Sequence, residues 1–196
     1  MKNTKVHKLV GIALLIAVMV VLQFIGTMLP IKIGPVSISL VLIPIVIGAA
    51  VYGPGAGALL GAAFGVLTNI FCANGMDLGG HMVFQASPIL CILVVMTKGV
   101  LCGLMSGYIY QFVAKKNAYV GMICAAIVCP VVNTGIFLLG MRLFFIDVLR
   151  QWAGGSNVAG YVLTGIILVN FLPELILNVV VSPASQRIIQ VVNKKK

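Results

Sequence analysis

The chain has 196 residues, of which 61% are hydrophobic and only 8% are charged, and its formal net charge is +10. Soluble domains carry roughly 25% charged residues, so this composition excludes a soluble globular domain, a disordered chain and a nucleic-acid-binding domain. It is typical of an all-α membrane protein, and at roughly 20 apolar residues per span the chain forms a single integral membrane domain over residues 1–196.

Six transmembrane helices are predicted from the apolar runs and the turn residues between them. In chain order they cover about 8–29, 36–52, 55–73, 89–113, 118–146 and 159–181. Pro30 ends the first helix, and Gly53-Pro54 forms the turn between the second and third. Pro130 is expected to kink or interrupt the fifth helix. Two longer polar loops are predicted over 74–88 and 147–158.

Basic residues indicate how this bundle is oriented. They are concentrated before the first helix (Lys2, Lys5, Lys8), between the fourth and fifth (Lys115, Lys116) and at the end of the chain (Arg187, Lys194, Lys195, Lys196). With six spans these segments share one side, which the positive-inside rule assigns to the cytoplasm. We therefore expect both termini in the cytoplasm. The two long loops and the segment 30–35 then lie outside, where we interpret them as lids.

Small residues recur at a spacing of four in the first and third helices. The first helix has Ala13 and Ala17, and the third has Gly57, Gly61 and Gly65. Small residues four apart let helix backbones approach closely in lipid. This pattern predicts helix packing within the bundle.

Charged and amide side chains inside the predicted spans are the candidates for binding, because each is costly in the bilayer unless it faces protein or a cavity. Lys98, Asn133 and Asn170 are predicted at a similar depth in three different helices, and Arg142 lies near the outer end of the fifth. Lys98 and Arg142 predict an electropositive outer half, which suits a carboxylate or phosphate. Snorkelling to lipid headgroups is an equal alternative for Arg142.

Asn170, Glu174 and Asn178 share one face of the sixth helix, because they are spaced four residues apart. The stripe is either an interior network, with Glu174 paired to Lys98 or held protonated, or part of a cavity lining. Glu174 and Asn178 lie nearer the cytoplasm, and we assign them a structural role.

Catalytic and metal-binding patterns are missing from the sequence. It contains no HExxH, Walker A or GxSxG motif, and its five cysteines form no CxxC pair. We therefore expect no enzyme activity, no cofactor and no metal site, and without a P-loop the chain does not hydrolyse ATP itself. Trp152 is expected to be an anchor at the membrane interface, with an aromatic lid as the alternative.

Several segments together resemble a known family. They are the Ala13-x-x-x-Ala17 step after a basic N-terminus, the outer segment from Leu29-Pro30-Ile31 to Gly34-Pro35, the turn Ile47-Gly48-Ala49-Ala50-Val51-Tyr52-Gly53-Pro54-Gly55-Ala56-Gly57-Ala58, Lys98-Gly99, and Pro130-Val131-Val132-Asn133-Thr134-Gly135. Over nearly the whole chain this pattern resembles the substrate-binding S components of energy-coupling factor (ECF) vitamin transporters.

The resemblance implies a subunit of the prokaryotic cell membrane that captures a vitamin from outside. It implies a membrane T component, contacted through Ala13 and Ala17, and two cytoplasmic ATPases as partners. It favours ligand binding by Lys98, Asn133, Arg142 and Asn170, and gating by Lys32, His81 and Gln85. No nucleic-acid partner is expected, and lipid surrounds the bundle.

The substrate prediction rests on charge and aromatic content. A cationic cavity and only 8% aromatic residues favour a small carboxylate such as pantothenate over a flat ring that needs stacking partners. Riboflavin or another vitamin ranks next. The alternative function is a self-sufficient small-solute permease, for which Glu174 is a candidate carboxylate but no inverted repeat is seen.

Overall fold

The computed structural model describes residues 4–28, 39–155 and 157–194, and every regular element in these ranges is helical. The elements are α1 (Thr4–Met28), α2 (Leu42–Tyr52), α3 (Pro54–Ala73), α4 (Leu78–Ala86), α5 (Pro88–Val113), α6 (Ala118–Phe144), α7 (Ile146–Ala153), α8 (Val158–Tyr161), a π-helical segment (Val162–Phe171) and α9 (Leu172–Lys194). The last three are contiguous and are called the last span below. α6 continues through Pro130 without interruption.

Several helices are long and apolar enough to cross a membrane. In the described residues there are five, namely Val6–Thr27, Pro54–Ala73, Pro88–Val113, Ala118–Phe144 and Val158–Arg187. The predicted second helix over 36–52 is described only as α2, whose 11 residues are fewer than the roughly 20 that a span needs. The chain is thus an all-helical protein with several candidate spans. A sixth span and the side of each terminus stay predictions.

Glycine allows the two central helices to pack closely. α3 makes its most extensive contact with α5. A Cβ added to Gly57 would meet the carbonyl oxygen of Gly103, and one added to Gly61 would meet that of Gly99. The glycine stripe of α3 therefore packs inside the bundle, as its spacing predicts.

Both predicted polar loops contain a short helix, so their assignment as loops was wrong. α4 begins after Asp77, whose side chain accepts a hydrogen bond from the backbone N–H of Gly80, a typical N-cap. α7 is amphipathic, with Val148 and Leu149 buried and Asp147 exposed. In each segment the polar residues cap the helix or lie on its outward face. The average polarity of the segment therefore does not reveal the helix.

A hydrophobic cluster holds α4 and α7 against the spans at one end of the bundle. We call this the capped end. The cluster joins buried residues of α4, α5, α6, α7 and the π-helical segment with Phe145, which connects α6 to α7: Val83, Cys91, Val94, Val95, Met141, Phe145, Val148, Leu149 and Ile166. Packing of this kind fixes the short helices in position above the ends of the spans.

Candidate functional site

A cavity opens between the helices just inside the capped end. The empty space between its lining atoms, open solvent at its mouth included, is about 870 Å³. Residues from α1, α3, α4, α5, α6, α7 and the last span line it, together with the residues that precede α2. Its polar lining includes Gln23, Thr27, Ser39, Thr68, Asp77, Lys98, Asn133, Thr134, Asn170 and Glu174.

Lys98 supplies the positive charge of the described cavity lining. Its Nζ lies 5.5 Å from the centroid of the Phe64 ring and 5.2 Å from that of Phe137, so the ammonium makes two cation–π contacts. The one ion pair among the described residues joins Arg150 to Asp147. Lys98 thus forms no ion pair among the described residues, and its ammonium is available to an anion in a cavity that Asp77 and Glu174 also line.

Unpartnered polar atoms are concentrated at this cavity. Within the described ranges, six buried side-chain oxygen atoms have no hydrogen-bond partner. Five of them belong to cavity-lining residues, namely Ser39, Thr68, Asn133, Asn170 and Glu174. Buried polar groups are normally hydrogen-bonded, so this concentration indicates a surface that binds a polar molecule. The amide oxygens of Asn133 and Asn170 accept hydrogen bonds, and hydroxyl groups both donate and accept them, so this lining suits a molecule that carries donors.

The structure brings together three of the four predicted binding residues. Lys98, Asn133 and Asn170 all line the cavity. Arg142 does not belong to the lining, and its side chain is exposed near the end of α6. The positive charge expected from two residues thus comes from Lys98, and two acidic residues, Asp77 and Glu174, also line the cavity.

The two residues assigned a structural role occupy different environments. Glu174 is only 2% exposed and lines the cavity, but it forms no ion pair with Lys98. Asn178 lies one turn further along α9, outside this cavity, and its Nδ2 donates to the carbonyl oxygen of Glu174 at 2.8 Å. Glu174 is therefore in a position to meet a ligand, whereas Asn178 stabilises the helix beyond it.

The predicted gating residues of α4 lie behind the cavity wall. His81 Nδ1 is 2.8 Å from the carbonyl oxygen of Cys72, to which it donates, and Gln85 Nε2 donates to His81 Nε2 at 2.9 Å. The first hydrogen bond attaches α4 to the end of α3, and the second lies within α4. Gly79, Gly80 and Val83 are the α4 residues that face the cavity. Lys32 and the segment 30–35 lie outside the described residues.

Aromatic residues of the capped end also line the cavity. One is Trp152 of α7, for which a membrane-interface anchor was favoured from the sequence and an aromatic lid was the alternative. Its ring stacks on Phe137 with centroids 6.5 Å apart, and its Nε1 donates to Met82 Sδ at 3.3 Å. The amphipathic pattern of α7 was the signal that this segment folds back onto the bundle.

α1 lies at the edge of the bundle. Among the described elements it contacts α2 and α3. Ala13 and Ala17 are exposed on it, beside large exposed side chains such as Leu14 at 65%. In this arrangement the two alanines face away from the bundle, toward lipid or another protein.

Comparison with known proteins gives two findings. A family model described as the substrate-specific component of the ECF transporter matches residues 7–185. The chain is also 25% identical over 193 residues to the pantothenic acid transporter PanT of Lactococcus lactis subsp. cremoris (strain MG1363), with 94% of each chain covered. Both matches include the helices that form the cavity.

Proposed function

The chain belongs to the substrate-specific components of ECF transporters, and from this premise we propose that it captures pantothenate, or a closely related monocarboxylate, for ATP-driven uptake. Membership of this family makes it a binding subunit of a vitamin transporter. The observation that carries the choice of ligand is Lys98, a cation with no ion pair among the described residues, in a cavity whose lining also holds the unpartnered amide oxygens of Asn133 and Asn170.

Pantothenate carries complementary groups along its length. A carboxylate stands at one end, an amide in the middle and hydroxyl groups at the other end. The carboxylate can pair with Lys98 in a charge-assisted hydrogen bond. The amide N–H and the hydroxyl groups can donate to the unpartnered oxygens of Asn133 and Asn170. The relative in Lactococcus lactis, named for pantothenic acid, supports the same ligand.

A flat aromatic vitamin fits this lining less well. Such a ring binds by stacking on aromatic faces. Phe64 and Phe137 already have the ammonium of Lys98 over their rings, and Phe137 also stacks with Trp152. Riboflavin would therefore have to displace existing contacts before it could stack.

Access to the cavity is proposed to be controlled at the capped end. α4, attached to α3 through His81, which Gln85 in turn contacts, forms part of the cover together with Trp152, and Lys32 is kept as a gating candidate. Movement of α4 away from Cys72 would open the cavity. This assignment requires the capped end to face the outside, with both termini and the Lys115-Lys116 turn in the cytoplasm of a prokaryotic cell.

The partners proposed for transport are a membrane T component and two cytoplasmic ATPases. The exposed positions of Ala13 and Ala17 on a peripheral helix support this contact surface. Small side chains would allow the partner helix to approach α1 closely. The chain itself would bind and release the ligand, and the ATPases would drive turnover.

The test is uptake of labelled pantothenate into cells that lack their own transporter. The chain alone should bind the vitamin without accumulating it, and coexpression with the T component and ATPases should give ATP-dependent uptake.

Ala13→Trp should lower uptake and co-purification with the T component about tenfold or more, equivalent to ~1.4 kcal/mol, with binding retained. Gly135→Trp is the matched control, because its Cβ position on α6 is open. Full uptake by the chain alone would identify a permease and contradict the proposal.

A further inference from the structure

One carboxyl oxygen of the cavity lining lacks a hydrogen-bond partner. Glu174 is 2% exposed and lines the cavity, and its Oε1 has no hydrogen-bond partner. In the last span it lies one helical turn further from the capped end than Asn170, so it marks the inner end of the cavity. A buried acceptor that is left unsatisfied costs free energy, and a ligand that donates to it recovers that cost.

The other acidic residue of the lining is already engaged. Asp77 Oδ1 accepts the backbone N–H of Gly80 at 3.3 Å and caps α4. Its carboxylate therefore stabilises the fold as the N-cap of α4. Glu174 lies within a continuous helical span, where no N-cap is needed. Helix capping therefore does not explain why this acidic residue is buried there.

The cavity lining thus offers a ligand two kinds of polar group. Lys98, held between two rings, attracts an anion. Glu174, with the unpartnered oxygen of Asn170 one turn away, offers acceptors. A carboxylate placed at Glu174 would leave Lys98 without its anion. A hydroxyl or N–H placed there would satisfy a buried acceptor.

Resting on the proposed function, we propose that Glu174 is a specificity-determining residue that accepts a hydrogen bond from the end of the ligand remote from its carboxylate. It fixes the orientation of the ligand, with the carboxylate at Lys98 and the donor-bearing end at Glu174. It selects monocarboxylates with hydroxyl or N–H donors and disfavours molecules with a second anionic group at that end.

The experiment compares two ligands on the purified full chain. These are pantothenate and the analogue that lacks its terminal hydroxyl. The wild-type protein should prefer pantothenate by about tenfold or more, because the analogue leaves a buried acceptor unsatisfied. Glu174→Met, which has a similar volume and no acceptor of comparable strength, should bring the affinity ratio close to one. Glu174→Gln keeps a carbonyl acceptor and should retain part of the preference.

Asn178→Leu is the matched control on the same helix face. Asn178 lies outside this cavity, so its loss should leave the wild-type ratio unchanged, even if it lowers the unfolding temperature. The ratio of two affinities is unaffected by a uniform loss of folded protein. If Glu174→Met does not fold, Glu174→Gln still provides the comparison.

The outcomes separate this inference from the proposed function. A wild-type protein that binds both ligands equally would overturn the inference, as would Glu174 variants that weaken both ligands to the same extent and keep the wild-type ratio. In either case the proposed function would stand, because pantothenate is bound. A wild-type protein that binds neither ligand would overturn the proposed function, and the inference with it.

Discussion

Lys98 is the residue on which the proposed choice of ligand depends. An ammonium group in a membrane protein needs a partner, and here its partners are the rings of Phe64 and Phe137. Ring faces stabilise the cation without cancelling its charge. A ligand carboxylate can therefore bind Lys98 without first displacing a protein carboxylate.

Replacement of Lys98 by glutamine should lower the affinity for pantothenate about tenfold to a hundredfold. A hydrogen bond to a charged group contributes about 1.5–3 kcal/mol, and Gln keeps a polar side chain but no charge. Lys115→Gln is the control, because Lys115 is exposed in the turn between α5 and α6. Titration calorimetry measures both. Equal affinities of Lys98→Gln and Lys115→Gln would show that the carboxylate binds elsewhere.

Depth along a helix could be predicted from the sequence, but rotation about its axis could not. Counting residues from the predicted helix ends placed Lys98, Asn133 and Asn170 at one level, and all three line the cavity. α6 is apolar on most of its faces, so no periodic pattern distinguished the inward face. Without this signal Arg142 was predicted to bind the ligand, whereas its side chain is exposed outside the cavity. Ser39 and Thr68 were overlooked because single hydroxyls are common in membrane helices.

At the scale of elements, the contact of α3 with α5 positions both sides of the cavity. α3 contributes Phe64 and Thr68 to the lining, and α5 contributes Lys98. The glycine stripe on α3 could be predicted from its spacing of four residues. The same spacing in α5 (Gly99, Gly103, Gly107) identifies its partner face, because these glycines meet Gly61, Gly57 and Pro54.

Gly61→Ala should destabilise the protein by about 1–3 kcal/mol, the usual cost of overpacking. The added Cβ would meet the carbonyl oxygen of Gly99, and backbone cannot move aside as a flexible side chain can. Gly135→Ala should be neutral or stabilising, because its Cβ position is open and alanine is the better helix former. Thermal unfolding in detergent measures both. Equal unfolding temperatures would contradict the close approach of the two helices.

The short helices at the capped end show where a prediction from polarity is weakest. The segments that contain α4 and α7 are too polar for a span, and each was therefore predicted as a loop. The N-cap Asp77 and the buried Val148 and Leu149 are the local signals of helix. Tertiary packing against the spans then makes these short helices stable, since isolated helices of this length are marginal in water.

At the scale of the whole molecule, the all-helical architecture could be predicted from composition alone, because few charges and long apolar runs leave membrane helices as the remaining class. The cavity could not be located in the same way. It is formed by residues from nearly every element, and their meeting depends on the packing of glycine-lined helices and on the cover supplied by α4 and α7.

The most direct test of the account is native mass spectrometry of the purified chain, with the released small molecule identified. We predict one bound monocarboxylate per chain, identified as pantothenate or a close analogue, and its loss in Lys98→Gln. A wild-type protein that carries a flat aromatic vitamin would contradict the assigned ligand. A wild-type protein that is empty and binds no member of a vitamin panel would contradict the assignment of this cavity as the binding site.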